Sequence, residues 1–184
     1  MPGFGWRSMG ALHAKAVTTP AKITAANKYT AGTYALVYDN WPNTNIASPS
    51  YFATGHVAGT LTGTTLGASL TASQQHTAYQ WLGYFKPNYT GTWTFTGLNI
   101  DDTFILWIGA NAVSGFTTGN ALVNTPSPNP GTISLTAGTY YPFRAQYANN
   151  LGPGSFQLAY SHTGQSQTTN FNGLFFYNPA TNGF

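Results

Sequence analysis

Two adjacent aspartates, Asp101 and Asp102, are the residues of this chain best suited to do chemistry. The 184-residue sequence has only three acidic residues, the third being Asp39, and no glutamate. The pair lies between two apolar stretches, 93–100 and 104–108, so surface solubilisation explains it poorly. Carboxylate oxygens at the end of a strand suit a hard cation such as Ca²⁺, which takes about 6–8 oxygen ligands. The sequence therefore predicts a calcium site, provided that carbonyls, an amide and water complete the shell.

Other chemistry is harder to build from these residues. Adjacent aspartates also form ordinary solvated turns, which is the alternative for the pair, and Asp39 is expected to cap a turn. Glycoside hydrolysis needs two carboxylates about 5–9.5 Å apart across a sugar, and this pair is too close together. The four histidines show no metal-ligand spacing, and no nucleophile or phosphate-binding motif is present. We therefore expect a protein that is not an enzyme.

Composition indicates a single β domain with a neutral, polar surface. Charged residues make up 5% of the chain and aromatic residues 16%, whereas disordered chains are rich in charge and poor in aromatics. The net charge of +3 comes from six scattered basic residues, so we expect no nucleic-acid binding, which needs a clustered basic surface. Without cysteine, the chain can form neither a disulfide nor a thiolate metal site.

Residues 1–28 look separable from residues 29–184, which would form the β domain. This first segment contains three of the four lysines, and we interpret it as an arm or anchoring segment, with an edge strand of the same sandwich as the alternative. Its start lacks the charged residues and continuous apolar core of a secretory signal, so we expect no signal peptide in this chain. No window approaches the roughly 18 apolar residues of a membrane span, and we expect no membrane insertion.

Runs of β-type residues separated by Gly, Pro, Asn and Thr clusters predict an all-β fold, an antiparallel β-sandwich or barrel. The eight predicted strands are 33–38, 80–85, 91–97, 103–108, 132–135, 139–147, 155–161 and 173–177. The stretch 117–131 contains Pro126, Pro128 and Pro130. Because proline lacks the donor of a strand ladder, we expect a surface loop there.

Several segments together resemble a known family. They read WLGYFKP at 81–87, YTGTWTF at 89–95, DDTFILWIG at 101–109, AGTYYPFRAQY at 137–147 and SFQLAY at 155–160. In order and spacing they resemble strands of the PA14 domain, specifically of its GLEYA and flocculin-like adhesin branch. The resemblance covers about residues 30–178. It implies a PA14-type β-sandwich that binds carbohydrate through Ca²⁺.

The resemblance also implies a set of ligands. In this family the paired aspartates are joined by a cis peptide and bind Ca²⁺, and the ion coordinates adjacent hydroxyls of a terminal sugar. Carried over to this chain, Asp101 and Asp102 become metal ligands and contribute to the sugar site. The side chain of Asn149 and the main-chain carbonyls of Leu151 and Pro153 would complete the protein's share of the coordination shell.

Two further residues are candidates for contact with a sugar. Asn150 is the alternative amide ligand and a candidate sugar contact. Trp107 is an aromatic candidate for stacking on a sugar face, although packing within the sheet is the commoner role of such a residue. The chain departs from the adhesins in its turn at 152–154 and in lacking cysteine, which leaves the two carbonyl assignments open.

Two functions from different classes fit these observations. One is a calcium-dependent carbohydrate-binding module, displayed in many copies on a virion or an extracellular surface, because multivalency raises avidity by about 10²–10⁴. Residues 5–15 resemble short stretches of phage structural proteins, and residues 1–28 would then bind other virion or surface-assembly subunits. The other is a non-catalytic structural or decoration protein of a phage virion or surface filament that binds no sugar. A structural calcium without sugar, and a fragment of a microbial adhesin, also remain open.

Overall fold

The computed structural model describes residues 30–38, 57–62, 66–67, 70–72, 77–125, 127–181 and 184. These residues form thirteen strands: β1 Thr30–Ala31, β2 Tyr34–Tyr38, β3 Val57–Thr62, β4 Leu70–Ala72, β5 Thr77–Phe85, β6 Gly91–Asp101, β7 Thr103–Ile108, β8 Val123–Asn124, β9 Gly131–Leu135, β10 Tyr141–Asn149, β11 Gly154–His162, β12 Gln165–Thr168 and β13 Phe175–Tyr177. A short helix, α1 (Ala110–Val113), and a 3₁₀ turn, Thr118–Asn120, lie between β7 and β8.

The described strands belong to two sheets in which neighbouring strands are antiparallel. The larger sheet has eight strands in the order β1-β13-β5-β10-β7-β8, with β2 also paired to β5 and β3 to β2. The smaller sheet has five strands in the order β12-β11-β6-β9, with β4 also paired to β11. The predicted all-β, antiparallel sandwich is therefore confirmed.

Aromatic side chains fill the space between the sheets. Along β6 the buried residues alternate with more exposed ones, which is the period of two expected for a strand with one face on a core. Trp81 of β5 packs edge-on against Phe156 of β11 with ring centroids 5.1 Å apart, and Phe85 packs against Phe95 at 5.4 Å. Each such side chain contributes about 1.5–3 kcal/mol through removal of apolar surface from water.

The outer face of the larger sheet is also covered, which explains why every residue of β7 is buried. Ile105 and Trp107 pack there with Ala112 of α1, and Phe116 packs against this cluster. Arg144 of β10 lies under the same cover at 9% exposure. Its Nε donates to the carbonyl of Ala112 at 2.8 Å, and its guanidinium lies 4.1 Å from the centre of the Phe116 ring.

Two of the points at which the described chain passes between the sheets lie at the same end of the sandwich. The first passage is at Asp102, between β6 of the smaller sheet and β7 of the larger one. The second is at 150–153, between β10 and β11. Strand register brings these passages together, because Asp101 pairs with Ser155 and Thr103 pairs with Ala148. The predicted ligands lie on these two passages or at the strand ends next to them.

The eight predicted strands all overlap observed ones, namely β2, β5, β6, β7, β9, β10, β11 and β13. The prediction of a surface loop over 117–131 is wrong in part. Val123 is fully buried in the two-residue strand β8, which pairs with Leu106 of β7 before the proline-rich stretch begins. The predicted arm at 1–28 lies outside the described residues, as does Asp39.

Candidate functional site

Asp101 and Asp102 occupy the junction between β6 and β7. Asp101 is the last residue of β6 and is exposed, whereas Asp102 is half-buried between the two strands. The peptide bond between them is cis, as the family resemblance implies. Ser155 faces Asp101 across the β6–β11 ladder and donates its hydroxyl to the carbonyl of Asn99 at 2.8 Å. The residues before the pair are thus tied to β11.

The main chain of Asp101 is held by Tyr147 of β10. The Tyr147 hydroxyl donates a hydrogen bond to the Asp101 carbonyl, and the tyrosine is 1% exposed. Burial raises the pKa of Tyr147 well above its usual value, and the negative charges of Asp101 and Asp102, followed by Tyr79, raise this pKa further. The phenol therefore stays protonated and acts as a donor that joins the larger sheet to the smaller one.

The carboxylate of Asp102 is held by the opposite passage. The backbone N–H of Asn150 donates to Asp102 Oδ2 at 2.6 Å. Asn150 is only 8% exposed, so little of it faces a ligand in solution. A hydrogen bond to an ionised acceptor is roughly twice as strong as a neutral one. This contact fixes Asp102 relative to the segment that contains the other predicted ligands.

Asn149 is the last residue of β10 and is fully buried. Its Nδ2 donates to the carbonyl of Gly152 at 2.8 Å, which leaves Oδ1 as the acceptor on the other side of the amide. Gly154 makes room for this arrangement, since a Cβ atom there would collide with the Tyr147 hydroxyl and the Asn149 amide. The space around the amide thus requires glycine at position 154.

The two residues predicted to offer main-chain carbonyls lie on the passage between β10 and β11. Leu151 is 60% exposed, one of two exposed large apolar side chains among the described residues, and Pro153 is also exposed. The structure therefore brings Leu151 and Pro153 to the same end of the sandwich as Asp101 and Asp102. Coordination of an ion by their two main-chain carbonyls stays a prediction.

Trp107 does not belong to this site. It lies near the far end of β7 and is 1% exposed. Its indole Nε1 donates to the carbonyl of Thr117 at 2.9 Å and to Asn120 Oδ1 at 3.0 Å. Phe116 packs edge-on against the ring. The predicted stacking of Trp107 on a sugar is therefore wrong, because the loop after β7 already covers the ring.

The donor set of this site matches a hard cation. The described residues contain no group of three or more His, Cys, Asp or Glu side chains arranged to bind a metal. Any ion here would thus take two carboxylates and draw its remaining ligands from amide, carbonyl and water oxygens. Ca²⁺ accepts such a shell, whereas Zn²⁺ prefers nitrogen and sulfur ligands. The residues present fit calcium.

The roles of Tyr147 and Gly154 were not predicted from the sequence. The alternation of a strand places residues 147 and 149 on one face, and this could have linked the tyrosine to the predicted asparagine ligand. Nothing in the sequence shows that the phenol reaches the Asp101 carbonyl, because that contact joins residues 46 positions apart in the chain. The need for Gly154 follows from the same packing.

Solved structures place this sandwich in a known class. The A domain of Epithelial Adhesin 9 from Candida glabrata, solved in complex with Galβ1-3GlcNAc, has a TM-score of 0.67 at 16% identity, with 84% of this chain and 93% of that chain covered. The PA14 sugar-binding domain from an RTX adhesin has a TM-score of 0.56 at 11% identity, with 75% and 93% covered. The fold is that of a PA14 domain.

Part of the chain is also similar in sequence to one branch of that class. The model of the GLEYA domain matches residues 77–162. The pfl4 protein of Schizosaccharomyces pombe, named for cell agglutination, is 33% identical over 86 residues, which cover 42% of this chain and 14% of that protein. Flocculation protein FLO10 of Saccharomyces cerevisiae is 30% identical over 95 residues, which cover 42% and 8%. The resemblance to the GLEYA and flocculin-like branch is confirmed.

These relatives are much longer than the region they share with this chain, which spans less than a sixth of either. They are named for agglutination and flocculation, and the two structural neighbours named above are adhesin domains. This agrees with the prediction of a non-enzymatic domain. Among the described residues, no helix has the length and apolar character needed to cross a membrane.

Proposed function

We propose that this chain is a calcium-dependent carbohydrate-binding domain of the lectin or adhesin type. The observation that carries the proposal is the placement of two of the three acidic residues where the chain passes between the sheets. There the carboxylate of Asp102 is hydrogen-bonded to the passage that contains the other predicted ligands. The GLEYA match covers both passages and supports the same function.

The proposed ion would be held by the carboxylates of Asp101 and Asp102, the Asn149 amide oxygen and the carbonyls of Leu151 and Pro153. When bound, Ca²⁺ would supply coordination positions for two adjacent hydroxyls of a sugar. Asp101 is exposed in the single chain, as a lectin site must be. A structural element, in contrast, would have this carboxylate covered by a neighbouring subunit.

The chain's own residues would prepare the site before any ligand arrives. The Asn150 amide orients Asp102, and the Tyr147 hydroxyl holds the Asp101 carbonyl. Gly154 leaves space for the Asn149 side chain. Groups that are held in place in the free protein lose less conformational entropy on binding, so this arrangement favours affinity.

We further propose display on an extracellular surface in several copies. A single site of this kind binds one sugar residue weakly, and multivalent display raises the avidity by about 10²–10⁴. The names of the relatives, which refer to flocculation and agglutination, support a surface location. A virion location and docking of other subunits through residues 1–28 stay predictions.

A calcium titration tests the proposal most directly. The purified chain is stripped with a chelator and titrated with Ca²⁺ by calorimetry, and we expect one ion per chain. Binding of Galβ1-3GlcNAc, the ligand of the adhesin neighbour, is then measured with Ca²⁺ and with chelator. Asp39→Asn, which removes the one other acidic side chain, is the charge-matched control and should bind both as the wild type does.

The calcium titration and the sugar-binding measurement together distinguish a lectin from a structural protein. Stoichiometric Ca²⁺ binding together with sugar binding that the chelator abolishes would support the lectin. If no Ca²⁺ binds, the proposal fails, and the non-catalytic structural or decoration protein becomes the better account. Calcium binding without binding of any sugar on a glycan array would leave a structural calcium site and would also overturn the proposed function.

A further inference from the structure

The turn between β5 and β6 contains an acceptor sequence that the proposed sugar site does not use. Asn88-Tyr89-Thr90 matches the pattern Asn-x-Ser/Thr for attachment of an N-linked oligosaccharide. The chain has sixteen asparagines, and only Asn88 is followed two positions later by serine or threonine. We propose that Asn88 is an N-glycosylation site that is modified when the chain passes through a eukaryotic secretory pathway.

The environment of Asn88 allows a large substituent. Asn88 is exposed, whereas the residues beside it are fixed by contacts. Trp93 Nε1 donates to the carbonyl of Tyr89 at 3.0 Å, and the Tyr89 ring stacks on His162 with centroids 4.5 Å apart. The Gly138 N–H donates to the carbonyl of Pro87 at 2.8 Å. An oligosaccharide on Asn88 would extend into solvent without displacing any of these groups.

The hydrogen bond that Thr90 forms in the folded chain indicates when the modification takes place. In the folded chain its hydroxyl accepts a hydrogen bond from the backbone N–H of Ala137 at 2.9 Å. The transferase must read this hydroxyl together with Asn88, so the reaction takes place before the turn folds against residues 136–138. The Asn88 amide nitrogen forms a bond to the anomeric carbon of a lipid-pyrophosphate-linked oligosaccharide. The bond from that carbon to the pyrophosphate breaks, the lipid pyrophosphate leaves, and the amide gives up one proton.

The attached glycan would not cover the proposed calcium site. Asn88 precedes the first residue of β6, and Asp101 is its last. The eleven residues of this strand are separated by ten steps of about 3.3 Å, so its two ends lie about 33 Å apart. The oligosaccharide would instead cover the opposite end of a sandwich that has few charged residues. This inference uses the proposed extracellular location, and it does not depend on sugar binding.

Secretion from a yeast host tests the proposal. The full chain is expressed behind a cleavable secretion leader, and its intact mass is measured before and after treatment with an N-glycanase. We expect one oligosaccharide, located at residue 88 by peptide mapping. Asn88→Gln and Thr90→Ala should be secreted without it, whereas Thr90→Ser should keep it. Asn111→Gln, a change at another exposed asparagine, is the matched control and should also keep the glycan.

Two results would overturn the proposal: secretion of the folded wild type without the modification, or retention of the glycan by Asn88→Gln. Mass and sugar binding are measured on the same samples. Failure of the glycosylation proposal can therefore be distinguished from failure of the lectin proposal. Glycosylated protein that binds no sugar would refute the lectin only. For a working lectin, we expect wild type and Asn88→Gln to bind Galβ1-3GlcNAc with affinities within twofold of each other, because the modified end is remote from Asp101.

Discussion

The backbone amide of Asn150 donates to the carboxylate of Asp102 at 2.6 Å, between two neighbouring passages at one end of the sandwich. This contact joins residues 48 positions apart in the chain. It orients Asp102 through the main chain of the neighbouring passage. Asp102 is therefore both a candidate metal ligand and a structural acceptor, and substitutions can separate these two roles.

Asp102→Asn keeps an acceptor oxygen for the Asn150 amide and removes one negative charge. We expect Ca²⁺ binding to be lost and the free energy of unfolding in chelator to change by less than about 1 kcal/mol. Asp102→Ala also removes the acceptor and should cost a further 1–3 kcal/mol or so. Calorimetry and urea denaturation measure the two effects. Calcium affinity of the wild-type order in Asp102→Asn would contradict the assignment.

Gly154→Ala tests the space around the Asn149 amide. The new Cβ atom would collide with the Tyr147 hydroxyl and with that amide, and overpacking of this kind costs about 1–3 kcal/mol. We expect a lower melting temperature and weaker Ca²⁺ binding. Gly119→Ala is the matched control, since the nearest atom to its Cβ would be Thr117 Oγ1 at 3.8 Å. Equal stability of the two variants would show that the segment around residue 154 shifts to accommodate the new Cβ atom at little cost.

Alkaline pH should destabilise the folded chain in part through Tyr147. Burial first, and then Asp101 and Asp102, raise the pKa of this phenol above its ordinary value of 10.0. Above about pH 10 the unfolded chain loses the Tyr147 proton while the folded chain keeps it, so stability falls as the pH rises. Below pH 10 both states keep the proton, and this contribution to the pH dependence is absent.

Tyr147→Phe should therefore show a shallower loss of unfolding free energy between pH 9 and 11 than the wild type in urea denaturation. At pH 7 the variant should be less stable by about 1 kcal/mol, because the hydrogen bond to the Asp101 carbonyl is gone. Burial also raises the pKa of Tyr79 and of Tyr160. The unfolding free energy of Tyr147→Phe should therefore still fall somewhat between pH 9 and 11. Identical slopes would refute the role given to Tyr147.

Arg144→Ala tests whether stability and ligand binding are separate in this fold. The Arg144 guanidinium donates to the Ala112 carbonyl at 2.8 Å and to Gln80 Oε1 at 2.6 Å on the covered outer face. Loss of these charged hydrogen bonds should cost about 3 kcal/mol. Lys86→Ala removes the same charge from a half-buried lysine near the Tyr140 ring and should cost less than about 1 kcal/mol.

Calorimetric titration of both variants at a temperature where each is folded should give wild-type calcium affinity. Arg144 lies opposite Trp107 in the β7–β10 ladder, four positions from the Ala148–Thr103 pair beside Asp102. A tenfold loss of calcium affinity in Arg144→Ala alone would show that the covered face and the site are coupled.

The long strands could be predicted from the sequence because one face of each is apolar and Gly, Pro or Asn marks the ends. The predicted strand 91–97 was too short, since β6 runs on to Asp101. There the pairing with β11 shifts register, and Asn99 takes a positive φ of 51°. Such an irregularity interrupts the alternation that sequence analysis relies on. The polar edge strand β12, with the sequence QSQT, has no apolar face to reveal it.

The candidate site could be predicted only where its residues form a recognisable sequence. The Asp101–Asp102 pair is conspicuous because acidic residues are so scarce, and Asn149 follows from the resemblance. The burial of Trp107 could not be foreseen, because it depends on how the loop after β7 folds back on the sheet. The contacts of Tyr147 and Asn150 with the pair likewise depend on long-range register, which one sequence does not specify.

The bonds from Tyr147 to Asp101 and from Asn150 to Asp102 both lie at one end of the sandwich, whereas the rest of the space between the sheets is filled by aromatic packing. Hydrogen bonds are directional, and apolar contacts resist sliding only weakly. These two hydrogen bonds therefore resist sliding of one sheet over the other at the Asp101 end. A pulling force that enters through a ligand bound there would act first on these two directional hydrogen bonds.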